Sequence, residues 1–172
     1  MIRGMSNPLR FVFVLVLVVG LAGCGAGESG ELAVGGKAPN FKAKNLAGES
    51  AGLKDFLGDG QFVLLNFWAT WCSPCQAEIP TLNKVHERFG GKGLKVVSLS
   101  VEEREDTLRN YLAKTEIKYP VYLDPKGEIG AKYGLLAVPL NVIIDPDGKV
   151  VSLRRMAFEE SLVQDVEALL KP

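Results

Sequence analysis

Histidine and cysteine are scarce in this chain: its 172 residues include one His and three Cys. Three cysteines are too few for a disulfide-stapled scaffold. A zinc site takes three or four ligands. Beyond Cys72 and Cys75, only Cys24 and His86 remain as Cys or His candidates, and the acidic residues form no ligand motif. No metal is therefore expected. An excess of one charge is also lacking. Lys+Arg and Asp+Glu number 20 each, so nothing points to nucleic acid. The one long apolar run, residues 11–22, falls short of the ~20 residues that span a bilayer. No internal repeat and no second domain are visible. A hydrophobic fraction of 47% against 23% charged residues is enough for one folded core.

Arg3 and Arg10 precede the apolar run, as in the basic and hydrophobic regions of a signal peptide. Leu21-Ala22-Gly23-Cys24 follows and resembles the lipobox of bacterial lipoproteins. That resemblance implies a lipoprotein signal peptide over residues 1–23, cleavage before Cys24, and lipid on the Cys24 sulfur and amine. It would explain the odd cysteine. The alternatives are an uncleaved anchor, or a secretory signal with an incidental Cys24. Two or three acyl chains anchor stably, whereas one binds marginally. Residues 24–36 are rich in Gly, Ala and Ser and read as a flexible tether, with a reach of roughly 20 Å. The expected location is the periplasm or cell exterior, lipid-anchored to a membrane. Gly25 carries no inner-membrane retention aspartate, so inner or outer membrane stays open.

The folded domain is expected over residues 37–172. Lys37–Phe41 reads as an edge strand, because Pro39 cannot donate to a ladder. A turn around Gly48 and a short helical turn at Leu53–Leu57 follow. Phe62–Trp68 is an apolar run with little alternation, as in a central strand covered on both faces. Then come Trp71-Cys72-Ser73-Pro74-Cys75 and an apolar stripe at Cys75, Ile79, Leu82, His86 and Phe89, which has the spacing of a helix. The pattern is strand, short turn, and two cysteines at a helix start. Further strands are expected at 94–101, 119–123, 140–144 and 149–153, with helices at 104–114 and 127–133. A closing helix carries Phe158, Leu162, Val166, Leu169 and Leu170 on one face. Alternating strands and helices imply an α/β fold, a mixed central sheet with helices on both faces.

Residues 37–172 resemble the thioredoxin-fold proteins, and more closely their membrane-tethered TlpA/ResA-type branch. The matching pieces are Phe67-Trp68-Ala69-Thr70-Trp71-Cys72-Ser73-Pro74-Cys75, Glu78 and Pro80, Tyr133-Gly134, Val138-Pro139, and Ile143 to Gly148. The resemblance implies a thioredoxin fold with an N-terminal strand extension. It also implies a cis Val138–Pro139 bond against the sulfurs, with the preceding backbone pairing with an extended substrate. Asn66 stands where thioredoxin keeps a buried aspartate, and the resemblance implies that Glu78 replaces it. Ala137, Leu140 and Asn141 also depart from the common pattern, which has glycine at the first and threonine at the other two.

In this setting Cys72, at the helix N-cap, is the attacking sulfur and Cys75 the resolving one. Pro74 suits the first turn, where its missing N–H costs nothing. Glu78 is the candidate base for Cys75, although its charge also disfavours a thiolate. A solvated first-turn glutamate is the plainer alternative. Trp71 is expected exposed, binding substrate with Val138 and Pro139, and Trp68 partly buried. His86 is about three turns past Cys75. It is expected on the helix surface, too far for the copper ligand that a copper-delivery protein of this fold would place beside its cysteines. Arg104, Arg154 and Arg155 are expected as solvated charges, and Glu102–Asp106 as a charge run with no functional role.

The expected activity is thiol–disulfide oxidoreduction that reduces partner proteins, with no cofactor beyond the Cys72–Cys75 disulfide; the resemblance implies apocytochrome c as one substrate class. Expected partners are disulfide-bearing proteins, a membrane electron donor or acceptor, and the membrane surface. An oxidant or thiol peroxidase of the same fold, and a non-catalytic tethered binding protein, are the alternatives.

Overall fold

The computed structural model describes Met1 and residues 32–171. The signal peptide, Cys24 and the first part of the tether lie outside the described residues. The end of the tether does not remain free of the domain. Leu32 packs against the core, and the Gly35 amide donates to the Val150 carbonyl at 2.8 Å. The Val150 amide returns a bond to the Gly36 carbonyl at 2.9 Å. Two backbone bonds and an apolar anchor thus join residues 32–36 to the folded domain.

Seven strands form one sheet in the order β2-β1-β5-β4-β3-β6-β7. The strands are β1 (Lys42–Asn45), β2 (Ser50–Gly52), β3 (Phe62–Trp68), β4 (Leu94–Val101), β5 (Val121–Asp124), β6 (Leu140–Ile144) and β7 (Val150–Arg154). Among the described residues the α-helices are α1 (Leu53–Phe56), α2 (Ser73–Phe89), α3 (Glu105–Leu112), α4 (Glu128–Lys132) and α5 (Glu159–Leu169), with a short 3-10 turn at Gly58–Gly60. β3, β4 and β5 run parallel, while β6 is antiparallel to β3 and β7 to β6. This is the mixed thioredoxin-like sheet that the sequence led us to expect, with β1 and β2 as the N-terminal extension.

The first strand lies later than expected. Lys37–Phe41 is not a strand; only Lys37 makes an isolated bridge, to Lys149. Pro39 sits in the link, where its carbonyl accepts a bond from the Tyr133 hydroxyl at 2.7 Å. The edge is the β1–β2 hairpin, turned at Gly48, whose φ of 82° lies where a side chain is disfavoured.

Pleating sorts the strand residues between two cores. Val63, Leu65 and Phe67 of β3 join Val97, Leu99 and Val101 of β4, Val142 and Ile144 of β6, and α1 and α4 on one face. Leu64, Val96 and Ile143 pack under Leu82 and Val85 of α2 and Leu162 and Val166 of α5 on the other. Phe158 is not on the closing helix's buried face. It is the N-cap residue and 66% exposed, because the helix begins only at Glu159. Arg154 is also not a free surface charge; it is half-buried against Asp165 and Ser161 of α5.

Candidate active site

β3 ends at Trp68, and the chain turns through Ala69, Thr70 and Trp71 into α2. The Cys72 amide closes the turn by donating to the Ala69 carbonyl at 3.1 Å. Cys72 is the N-cap of α2, with extended φ/ψ, and its sulfur accepts the Cys75 amide at 3.2 Å. Pro74 occupies the first turn, where no backbone donor is needed. Cys72 and Cys75 are joined as a disulfide, with Cα atoms 5.2 Å apart. Both are buried, at 5% and 1% exposure, while Trp71 beside them is 63% exposed. Trp68 is only 2% exposed, more enclosed than expected, because Tyr111 of α3 covers its ring.

Val138–Pro139 is cis. Val138 packs against the cluster that contains Cys72, Cys75, Trp68 and Ile79. The loop from a distant part of the sequence therefore packs against the cluster that holds the sulfur pair.

Behind the sulfurs lies a polar row that the sheet register creates. Asn66 on β3 faces Ser98 on β4 and Asn141 on β6. All three share the sheet face beneath α2 with Leu64 and Ile143. The Ser98 hydroxyl donates to Asn66 Oδ1 at 2.8 Å, and Asn66 Nδ2 donates to Asn141 Oδ1 at 3.0 Å.

Glu78 caps this row from above. It is 2% exposed, so it is not a solvated first-turn glutamate. Its carboxylate accepts three N–H donors: Asn66 Nδ2 at 2.8 Å, Asn141 Nδ2 at 3.1 Å and the Ala157 amide at 2.9 Å. Burial pushes the Glu78 carboxyl above the ordinary range, and the bonds from Ala157, Asn141 and Asn66 pull it part of the way back. A carboxylate so raised lies closer to the thiol range than an ordinary one does.

His86 is only partly on the surface, with its ring edge-on to Tyr119 at 6.3 Å. Sequence reasoning gave no role to Asn141, Ser98, Ala157 or Glu103. Asparagine and serine inside otherwise apolar strands were a usable signal for the first two. Ala157 acts through its backbone and leaves none. Glu103 belongs to the run read as having no role, yet it is 7% exposed, and the Thr70 amide donates to its Oε1 at 3.0 Å. It is buried because the chain folds it inward between β4 and the turn before Cys72.

Comparison with known proteins points the same way. The model of the AhpC/TSA family matches residues 34–153. The chain is similar to the thiol-disulfide oxidoreductase ResA of Bacillus thuringiensis subsp. konkukian, at 35% identity over 156 residues, spanning 85% of this chain and 87% of that protein. Among solved structures it is similar to a Chlorobium tepidum protein described as thiol:disulfide interchange protein DsbE. That match has a TM-score of 0.75 and 32% identity, and covers 82% of this chain and 100% of the other. It is also similar to the exposed lipoprotein thioredoxin Etrx1 of Streptococcus pneumoniae, with a TM-score of 0.66 and 26% identity, over 76% of this chain and 99% of that one.

Proposed function

We propose, from the premise that this chain belongs to the AhpC/TSA family and is a thioredoxin-fold thiol–disulfide oxidoreductase of the ResA type, that it reduces disulfides in partner proteins outside the cytoplasm. The observation that carries the reading is the Cys72 sulfur at the N-cap of α2, in a cluster against which Val138 of the cis Val138–Pro139 bond packs.

In the dithiol form the Cys72 thiolate attacks one sulfur of the partner's disulfide. That bond breaks, the partner's other sulfur leaves as a thiolate and takes a proton, and a mixed disulfide joins the two proteins. Cys75 gives its proton to Glu78, directly or through a water, and attacks the Cys72 sulfur. The Cys72–Cys75 bond forms, and the partner's second sulfur leaves and is protonated. Two electrons have passed to the partner; of the two protons it gains, one comes from solvent, to which Cys72 had lost its own, and the other is balanced by Glu78 giving up the proton of Cys75. The protein is left as the disulfide seen here, to be reduced again by an extracytoplasmic dithiol donor at the membrane.

Trp71 offers an exposed apolar surface, and the backbone before Pro139 pairs with an extended substrate segment. No cofactor or metal takes part beyond the disulfide. Apocytochrome c is one substrate class, and lipid on Cys24 holds the protein at the membrane. Similarity to a protein named an exposed lipoprotein thioredoxin supports the anchor. Cys72→Ser should abolish exchange, while Cys75→Ala should accumulate mixed disulfides that mass spectrometry can name. Retained exchange in Cys72→Ser would overturn the reading, and release of Cys24→Ser from the membrane fraction tests the anchor.

A further inference from the structure

Glu103 has no part in the chemistry just described, yet its carboxylate is buried at the active-site turn. Oε1 accepts the Thr70 amide at 3.0 Å and the Ser100 hydroxyl, and Oε2 accepts the Thr70 hydroxyl. Across the turn, Gln76 Nε2 of α2 donates to the Thr70 carbonyl at 2.6 Å. Thr70 is thus held through its amide, carbonyl and hydroxyl, and its neighbours Ala69 and Cys72 are joined by the turn's own bond.

The backbone leading into Glu103 supports the same conclusion. Glu102 has φ of 55°, the one positive φ at a non-glycine residue among the described residues. That conformation is disfavoured for an L residue. The left-handed residue lies just past the end of β4, and Glu103 follows it, directed inward. Such an outlier next to a buried carboxylate that grips the catalytic turn is the pattern of strain held at a functional site.

We propose that Glu103 is a positioning residue for thiol–disulfide exchange: by clamping Thr70 it fixes the turn that sets the Cys72 sulfur at the α2 N-cap. The inference rests on Cys72 being the attacking sulfur. Clamped, the turn keeps Cys72 Sγ aligned with the Cys75 amide, which stabilises the thiolate once the disulfide is opened. Released, Cys72 samples other positions, and both the attack and the dithiol state lose that support.

The test uses the reduced full-length chain, mixed in stopped flow with a small aromatic disulfide that reads the first attack. The dithiol–disulfide equilibrium is measured separately against glutathione. Glu103→Ala should slow the attack about tenfold per folded molecule and move the equilibrium toward the disulfide. Glu103→Gln should restore most of the rate, because its amide oxygen can accept the Thr70 N–H while its NH2 donates to a rotated hydroxyl. A folded Glu103→Ala with unchanged rate and equilibrium, however much its melting temperature falls, would overturn the proposal. So would a Glu103→Gln as slow as Glu103→Ala. Should Glu103→Ala fail to fold, Thr70→Val removes only the hydroxyl contact and is expected to slow the attack. An unchanged rate in that variant also overturns the proposal. Loss of the Cys72 assignment itself would show separately, as exchange surviving in Cys72→Ser.

Discussion

Two electrostatic effects oppose each other at Glu78. Desolvation favours its protonated form, and three N–H donors favour its carboxylate. The raised folded-state pKa means that the native state binds a proton more tightly than the unfolded chain does. The stability from that proton is complete below the unfolded pKa and is lost as pH rises through the folded one. Glu78→Gln has no such proton to lose. Its stability relative to wild type should therefore improve as pH rises across that window, as urea unfolding at several pH values would show; a constant difference would contradict the assignment. In stopped-flow exchange the same variant should slow the resolving step more than the first attack, and equal slowing would exclude Glu78 as the base for Cys75. At Glu102, a β-branched residue fits the left-handed region badly. Glu102→Val should lower the midpoint of thermal or urea unfolding, because valine tolerates that region less well than glutamate does.

Helix α2 is joined to α5 by two kinds of contact, and their magnitudes differ. Lys84–Glu159 and Arg88–Glu167 are exposed pairs that water and salt screen. Leu162 of α5 is fully buried in the core they flank. Lys84→Ala should shift stability by no more than about 1 kcal/mol, while Leu162→Ala should cost about 2–5 kcal/mol through the cavity it leaves. Denaturant midpoints for the two variants decide this. The start of α1 is set by close backbone approach. A Cβ on Gly52 would lie 2.2 Å from the Phe41 carbonyl oxygen, so even alanine there must push the end of β2 away from the residue that leads into β1. Lys37–Phe41 does not form the edge strand expected from Pro39. Pro39 suggested an edge position, but the edge hairpin is formed by residues with free amides, and Pro39 was left to join it to the β7 side.

In the whole molecule, β3 lies between β4 and β6 and is covered by helices on both faces, whereas β2 is a three-residue edge. Native-state hydrogen exchange should find Val63–Phe67 among the last amides to open, with β1 and β2 opening at lower free energy. Similar protection in both would contradict this reading of the sheet. The strand, the turn and the helix carrying Cys72 and Cys75 were legible in the sequence because they are local: an apolar run, a proline in the first turn and a stripe of helical spacing lie within residues 62–89. The cis bond at Pro139 was implied only by family resemblance. What tertiary structure alone decided is how residues far apart in the chain meet. Asn66 and Asn141 are 75 positions apart, and only the β3–β6 register sets them side by side beneath Glu78. Ala157 contributes a backbone amide, which any residue but proline would carry, so its identity gave no sign. Glu103 looks like its charged neighbours in one dimension. Its inward direction comes from the left-handed turn at Glu102 and from the loop folded over it, and neither is a property of the residue itself.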